Sequence, residues 1–182
     1  MSEFVNSIKI PQDRVAVLIG TDGETKDTIE KITNSHLNVD SQDGEVHISG
    51  GDPLKIFTCA EIVKAVGRGF NPEVALLLTK IDYVLEIISI TEFAKTQNDV
   101  IRLRGRVIGK EGKSRKVIEE LLEVHIVIYG KTIGIVGRGD SVSLARRAVE
   151  SLLGGSPHSH VYKWLEKQRS LYRQKVELKD DE

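Results

Sequence analysis

Apolar residues fall at three-and-four spacing in two stretches far apart along the chain: Ile29 and Ile32 in one, and Val117, Ile118, Leu121 and Leu122 in the other. This spacing predicts an amphipathic helix in each. Upstream of each lies an apolar strand, "VNSIKI" (5–10) or "DYVLEIISI" (82–90), and then a short helical stretch, Val15 to Ile19 or roughly Val100 to Ile108. Downstream come two further strands in each copy. "HLNVD" and "EVHIS" are joined by the polar "SQDG", and "VHIVIY" and "TIGIV" by "GK", where glycine and polar residues supply the turn. A last helix starts at "GGDP" or "GRGD", with Asp52 and Asp140 suited to capping its free amides and Pro53 to its first position. The predicted order is β-α-α-β-β-α, twice.

The two halves also align residue by residue. Residues 17–40 laid over 106–129 at a constant shift of 89 superimpose both glycines of "GTDG" and "GKEG", and pair Ile19 with Ile108, Ile29 with Ile118 and His36 with His125. Farther on, "VHISGGD" answers "GIVGRGD" after a one-residue slip. A period this long is a duplicated domain, and each copy must close its own core. The expected divisions are a first domain over 1–69, an ordered linker over 70–82, a second domain over 83–155, and a C-terminal helix and tail over 156–182. The linker is too apolar for a floppy tether and is expected to pack between the domains. In the last segment Ser156 is the expected cap and Pro157 the first-turn residue. The stripe Val161, Trp164, Leu165, Leu171 and Tyr172 is expected to dock on the second domain, and "ELKDDE" to fray.

Composition narrows the function. At 182 residues and 40% apolar content the chain can bury packed cores. Cys59 is the single cysteine, which excludes an internal disulfide framework and a cysteine-based zinc site and fits a reducing cytosol. No secretion signal or membrane-length apolar run is evident, so the expected location is cytoplasmic. His36 and His125, and His158 and His160, lack partners at metal-ligand spacing, and no nucleophile-base-acid set or carboxylate pair suggests catalysis. No metal, no cofactor and no enzymatic activity are expected.

Lys plus Arg (26) nearly balances Asp plus Glu (27), so evidence for a polyanion partner must lie in how charge is distributed. From Asp99 to Lys116 seven bases face two acids, a formal +5, whereas the equivalent window 10–27 holds two bases and four acids, a formal −2. The second copy is therefore the expected binder of any polyanion's phosphates.

A glycine turn opening a helix admits a phosphate backbone to free amides. One reading is a simple helix-to-helix turn. A second, a nucleotide-hydrolysing loop ending in "GKS" (112–114), fails because Val107 stands where G-x-x-x-x-G-K-S requires glycine. The third is a nucleic-acid clamp: both "IGTDG" and "IGKEG" sit between two helices of a β-α-α-β-β-α unit, the arrangement of a KH domain. Together with the spacer "GRGFNPEVALLL" and the ending "GSPHSHVYKWLE", the chain resembles archaeal two-KH-domain ribosome assembly factors, counterparts of the eukaryotic partner of the Nob endonuclease.

That resemblance implies an α+β fold of two tandem type I KH domains, each a three-stranded antiparallel sheet packed on helices, plus a C-terminal helix. It also implies binding to small-subunit rRNA near its 3′ end, with the Nob-type endonuclease and the dimethyladenosine transferase as neighbouring factors. The alternative is a general KH protein of RNA decay or translation control. The expected RNA-binding residues lie in the second copy. Gly109 and Gly112 admit the backbone, and Lys110, Lys113 and Arg115 supply charge with Arg106 flanking. Glu111 is the one acid within the loop. Ile108 and the strand "HIVIY" form the floor on which bases are read. Lys163, Lys167, Arg169 and Arg173 on the last helix are either solvated or extend the RNA footprint.

Overall fold

The computed structural model describes residues 3–180, with side chains through Gln174. Two compact units divide the chain between Leu85 and Glu86. The first runs β1 (Phe4–Lys9), α1 (Gln12–Ile19), α2 (Glu24–Thr33), β2 (His36–Val39), β3 (Glu45–Gly50) and α3 (Pro53–Gly67). A short α4 (Pro72–Ala75) and a 3-10 turn at Leu76–Thr79 follow and pack on α3, with Phe70, Ala75 and Leu78 buried. The second repeats the order as β4 (Tyr83–Ser89), α5 (Gln97–Ile108), α6 (Lys113–Leu122), β5 (His125–Tyr129), β6 (Thr132–Arg138) and α7 (Gly139–Leu153), and adds α8 (His158–Asp180). Each unit has a three-stranded antiparallel sheet with its last strand in the centre, β1-β3-β2 and β4-β6-β5.

Strand pairing corrects the alignment of the copies. Leu37 pairs with Ile48 and Val39 with Val46, while Ile126 pairs with Ile135 and Ile128 with Ile133. The hairpin of the first copy is thus longer by two residues, and the slip is two rather than one. With that register the cores match: Leu18, Ile29, Leu37, Val46 and Ile48 are fully buried, and so, within 2%, are Val107, Ile118, Ile126, Ile133 and Ile135. Side chains of this size each contribute roughly 1.5–3 kcal/mol on burial. The shared apolar skeleton therefore explains why one fold persists under two differently charged surfaces.

Both first helices start earlier than the apolar spacing suggests. Pro11, with φ −58°, ends β1 and lets α1 begin at Gln12. Thr96 and Asp99 form a capping box that starts α5 at Gln97: Asp99 N–H donates to Thr96 Oγ1 at 3.1 Å, and Thr96 N–H returns a bond to Asp99 Oδ2 at 3.1 Å. Bonds to Asp99 from the Lys95 backbone first, and then from Thr96, hold its carboxyl below the usual carboxylate range. That stabilisation is present at neutral pH and is lost as pH falls through the lowered value.

The two aspartates expected as caps differ. Asp52 accepts from Leu54 N–H at 2.9 Å and from Lys55 N–H, as a cap should. Asp140 instead lies inside the first turn of α7, where its carboxylate accepts the adjacent Ser141 N–H at 2.9 Å, with Arg138 at the cap position. Asp52→Ala is therefore expected to lower stability by about 1 kcal/mol. Asp140→Ala costs less, and urea unfolding of the two variants checks the difference.

Ser156 is not the cap of α8. The first helical bond there runs from Val161 N–H to the Pro157 carbonyl, so the helix starts at His158, and the Ser156 carbonyl serves an arginine described below. Val161 and Leu165 are buried in the core of the second unit, Trp164 packs against it under the Arg147 guanidinium at 4.9 Å, and Leu171 and Tyr172 stay exposed. Burial is thus confined to the first half of the apolar stripe, while Tyr172 still touches the unit through a hydrogen bond from its hydroxyl to Asp140. The tail expected to fray is helical in backbone through Asp180, and residues 181–182 lie outside the described residues.

Candidate nucleic-acid interface

Both glycine loops have the same backbone. α5 ends at Gly109 with φ 76° and ψ 174°, a 3-10 turn covers Lys110–Gly112, and α6 starts after Gly112 at φ 74°. In the first copy Gly20 (φ 76°, ψ 176°) and Gly23 (φ 82°) do the same around Thr21–Gly23. The first glycine has two reasons to be one. Its dihedrals are nearly closed to other residues, and a Cβ on Gly109 would lie 2.6 Å from the Cβ and N of Ser114. A Cβ on Gly112 meets only the end of Lys116. The acid in each loop, Asp22 or Glu111, stands in the left-handed region at φ 52° or 53°, so both loops hold one non-glycine residue in a costly conformation. No side chain caps α2 or α6, which leaves the first-turn amides to whatever occupies the loop.

The surfaces around the loops diverge. Lys110, Lys113 and Lys116 are exposed, and no ion pair among the described residues engages them. Thr21 and Glu24 stand where the first copy would need Lys110 and Lys113. Lys26, one of only two bases in that window, leans on Glu30 at 3.9 Å.

The remaining expected residues are placed less simply. Arg106 reaches the loop region, but its Nε donates to the Leu152 carbonyl at 2.9 Å and its Nη2 to the Ser156 carbonyl at 2.6 Å. It ties α5 to the end of α7 before it serves RNA. Arg14 makes the same pair of bonds in the first copy, to Val66 at 2.8 Å and Phe70 at 2.9 Å, from one helical turn farther upstream. Arg115 pairs with Glu119 at 3.7 Å, while Glu119 itself accepts the Ile126 N–H at 2.8 Å. In the first copy Glu30 accepts the Leu37 N–H at 2.6 Å, and the same carboxylate lies 3.1 Å from His36 Nδ1. Among the described residues no group of His, Cys, Asp and Glu could hold a metal ion, and no helix is long and apolar enough to cross a membrane.

On the floor, Ile108 is half-buried. Ile126 is 2% exposed and Ile128 packs against the core, so these two face the helices and Val127 the outer face of the sheet. β5 lies at the sheet edge, and the Ile126 N–H points to Glu119 rather than to β6. Alternation puts the Ile128 backbone groups on that same open edge, where a base can meet them. On the other side of α5, a groove of about 520 Å³ runs along the loop between Arg102, Gly105, Lys110 and Lys113 on one side and His158 and Tyr162 of α8 on the other. Spacing within either copy gives no signal for the α8 side, because its residues come from about 50 positions downstream.

Two β-α-α-β-β-α units, each turning through G-x-x-G between its first two helices, define a tandem type I KH protein. The model of the second KH domain of PNO1, a eukaryotic-type (type I) KH domain, matches residues 84–170, and the general KH-domain model matches residues 5–65. The chain belongs to the archaeal two-KH-domain family related to PNO1 and Dim2. A KH domain-containing protein of Methanocaldococcus jannaschii is 48% identical over 179 residues, 96% of this chain and 78% of that protein. A chain in the crystal structure of the a/eIF2α–aDim2p–rRNA complex of Pyrococcus horikoshii matches with a TM-score of 0.87 and 41% identity, covering 92% of this chain and 95% of that one. RNA-binding protein PNO1 of Oryzias latipes is 34% identical over 113 residues, 61% of this chain, which spans only 46% of that protein.

Proposed function

We propose that the protein binds single-stranded RNA of the small-subunit rRNA 3′-end region as a ribosome assembly factor, with the second KH unit as the principal reader. The observation that carries this reading is the cluster of exposed, unpaired lysines, Lys110, Lys113 and Lys116, around a glycine loop whose acidic twin has Thr21, Glu24 and Asp27 in their places. The archaeal relative crystallised in a complex with rRNA supports it. In this reading Gly109, Lys110, Gly112 and Lys113 hold the phosphate backbone, Ile108 and the β5 edge meet the bases, and Arg106 and Arg115 position the helices that carry the loop. Phosphate contacts set register, and the edge contacts give selectivity.

The protein acts by binding, without catalysis, in the cytoplasm, beside a Nob-type endonuclease and a dimethyladenosine transferase. Crosslinking in cells followed by sequencing of the bound RNA tests the assignment: reads concentrated at the small-subunit rRNA 3′ end are expected. Reads spread over messenger RNAs would replace it with a role in decay or translation control.

The acidic first unit serves as a protein-docking module, since its loop repels phosphate while Leu54 and Phe57 stand 76% and 62% exposed on α3. Leu54→Asp combined with Phe57→Asp is expected to remove at least one protein partner in pull-downs while RNA affinity holds. Retention of every partner would count against the docking role.

A further inference from the structure

We propose that α8 supplies an aromatic wall to the RNA site, so that the second unit holds one nucleotide beyond those reached by its glycine loop and β5 edge, with the base of that nucleotide against Tyr162. The inference rests on the RNA-binding reading and extends it to residues outside the KH repeat.

Four observations meet in the groove between the loop and α8. Its charge is one-sided: Lys110 and Lys113 are exposed on one wall, and Arg102 beside them is only loosely paired with Asp99 at 3.4 Å. Its opposite wall is aromatic, with the His158 and Tyr162 rings 6.1 Å apart at 62°. The His158 Nε2 lies 2.8 Å from the Arg106 carbonyl oxygen, which fixes that ring against α5. Cations for phosphate facing a π-surface for a base is the chemistry of a single-stranded nucleotide site, and every base has a face to stack.

The third observation is Gly105. It sits inside α5, where glycine weakens a helix relative to alanine, yet a Cβ there would meet nothing within 4 Å. Packing within the protein therefore does not ask for glycine. The equivalent residue of the first copy is Ala16, in a copy whose Asp13, Thr21 and Glu24 replace Arg102, Lys110 and Lys113. A bare backbone is kept only in the copy whose groove is cationic, which fits close approach by a ligand. The fourth is Ser114, whose side chain is fully buried on the lining of this groove and whose hydroxyl has no hydrogen-bond partner among the described residues. Such a group is rare unless something outside the chain bonds to it.

The test uses the full chain and single-stranded oligonucleotides of the rRNA 3′-end sequence, trimmed one nucleotide at a time from each end. Tyr162→Ala is expected to lose about 5- to 100-fold in affinity, the worth of one stacked base, and Tyr162→Phe to retain most of it. Gly105→Ala is expected to unfold at higher urea by Trp164 fluorescence while binding several-fold more weakly. For the unsubstituted protein, one trimming step should cost the same factor as Tyr162→Ala, and that step should cost the variant nothing. Full affinity in Tyr162→Ala and Gly105→Ala, with binding still weakened when Lys110→Asp and Glu111→Asp are combined in the loop, would overturn the α8 wall and leave the RNA reading intact. No binding by the unsubstituted protein, or full binding by the loop variant, would instead overturn the RNA reading itself. Comparable affinity for free adenosine monophosphate would overturn the assignment to a strand.

Discussion

Replacing Lys110 and Glu111 together by aspartate is expected to lower affinity for a single-stranded rRNA 3′-end oligonucleotide by at least about tenfold, the loss of one charge-assisted contact worth about 1.5–3 kcal/mol. Glu111→Asp keeps the charge and stands in a left-handed position that aspartate tolerates better than glutamate, so the effect belongs to Lys110. Because Lys110 meets phosphate rather than a base, the loss should be nearly the same for every sequence, and the salt dependence of log affinity should fall by about one unit of slope. Thr21→Asp turns the first loop into the same sequence and should cost less than about threefold. Equal losses from the two loops would reject the division of labour between the copies, and an unchanged affinity in the Lys110 variant with an intact fold would reject the second loop as the clamp.

The larger effect on stability is expected at Gly109. An alanine there meets both a forbidden backbone region and a 2.6 Å contact with Ser114, each worth roughly 1–3 kcal/mol, for a combined loss of about 3 kcal/mol or more. Gly112→Ala faces only the left-handed penalty, about 1–2 kcal/mol. Trp164 is the single tryptophan and packs on the core of the second unit, so its fluorescence reports that unit without a label. Gly109→Ala should lower the Tm seen by Trp164 by about 10 °C or more, and Gly112→Ala by clearly less. Similar shifts would mean that the two glycines are kept for the same reason. The contrast matters for function because the first glycine is demanded by the fold, while the second leaves room above the loop.

How much of this could be read from the chain depended on how far apart the cooperating residues lie. The β-α-α-β-β-α order followed from local periodicity and from the duplication, which supplies a second reading of every element. The early start of α5 was also local, in the Thr96 and Asp99 pair, but it was masked because the apolar spacing begins only at Val100. Arg106 flanks the groove, as expected, but its grip on α7 could not be read from spacing. It carries charge beside the loop, as its neighbours do, and only the folded chain brings carbonyls 46 and 50 residues away within its reach. Asp140 illustrates a different limit: a helix that starts two residues earlier than its composition suggests moves a side chain from the cap position into the first turn. The α8 side of the groove was invisible for a third reason, since an aromatic pair one turn apart on an amphipathic helix has the same pattern as a core stripe.

Arg14 and Arg106 grip the same two carbonyl positions from sites that do not align, one turn apart on equivalent helices. Residues three apart share a helix face, so the anchor has migrated along the helix while its grip stayed in place. Exchange of parts between the copies is constrained accordingly. The four-residue loops are interchangeable pieces, because neither carries the anchor. A graft cut through the middle of the preceding helix, however, would yield a chain with two anchors or with none. A hybrid that moves recognition from one copy to the other must therefore take the loop alone or the helix whole.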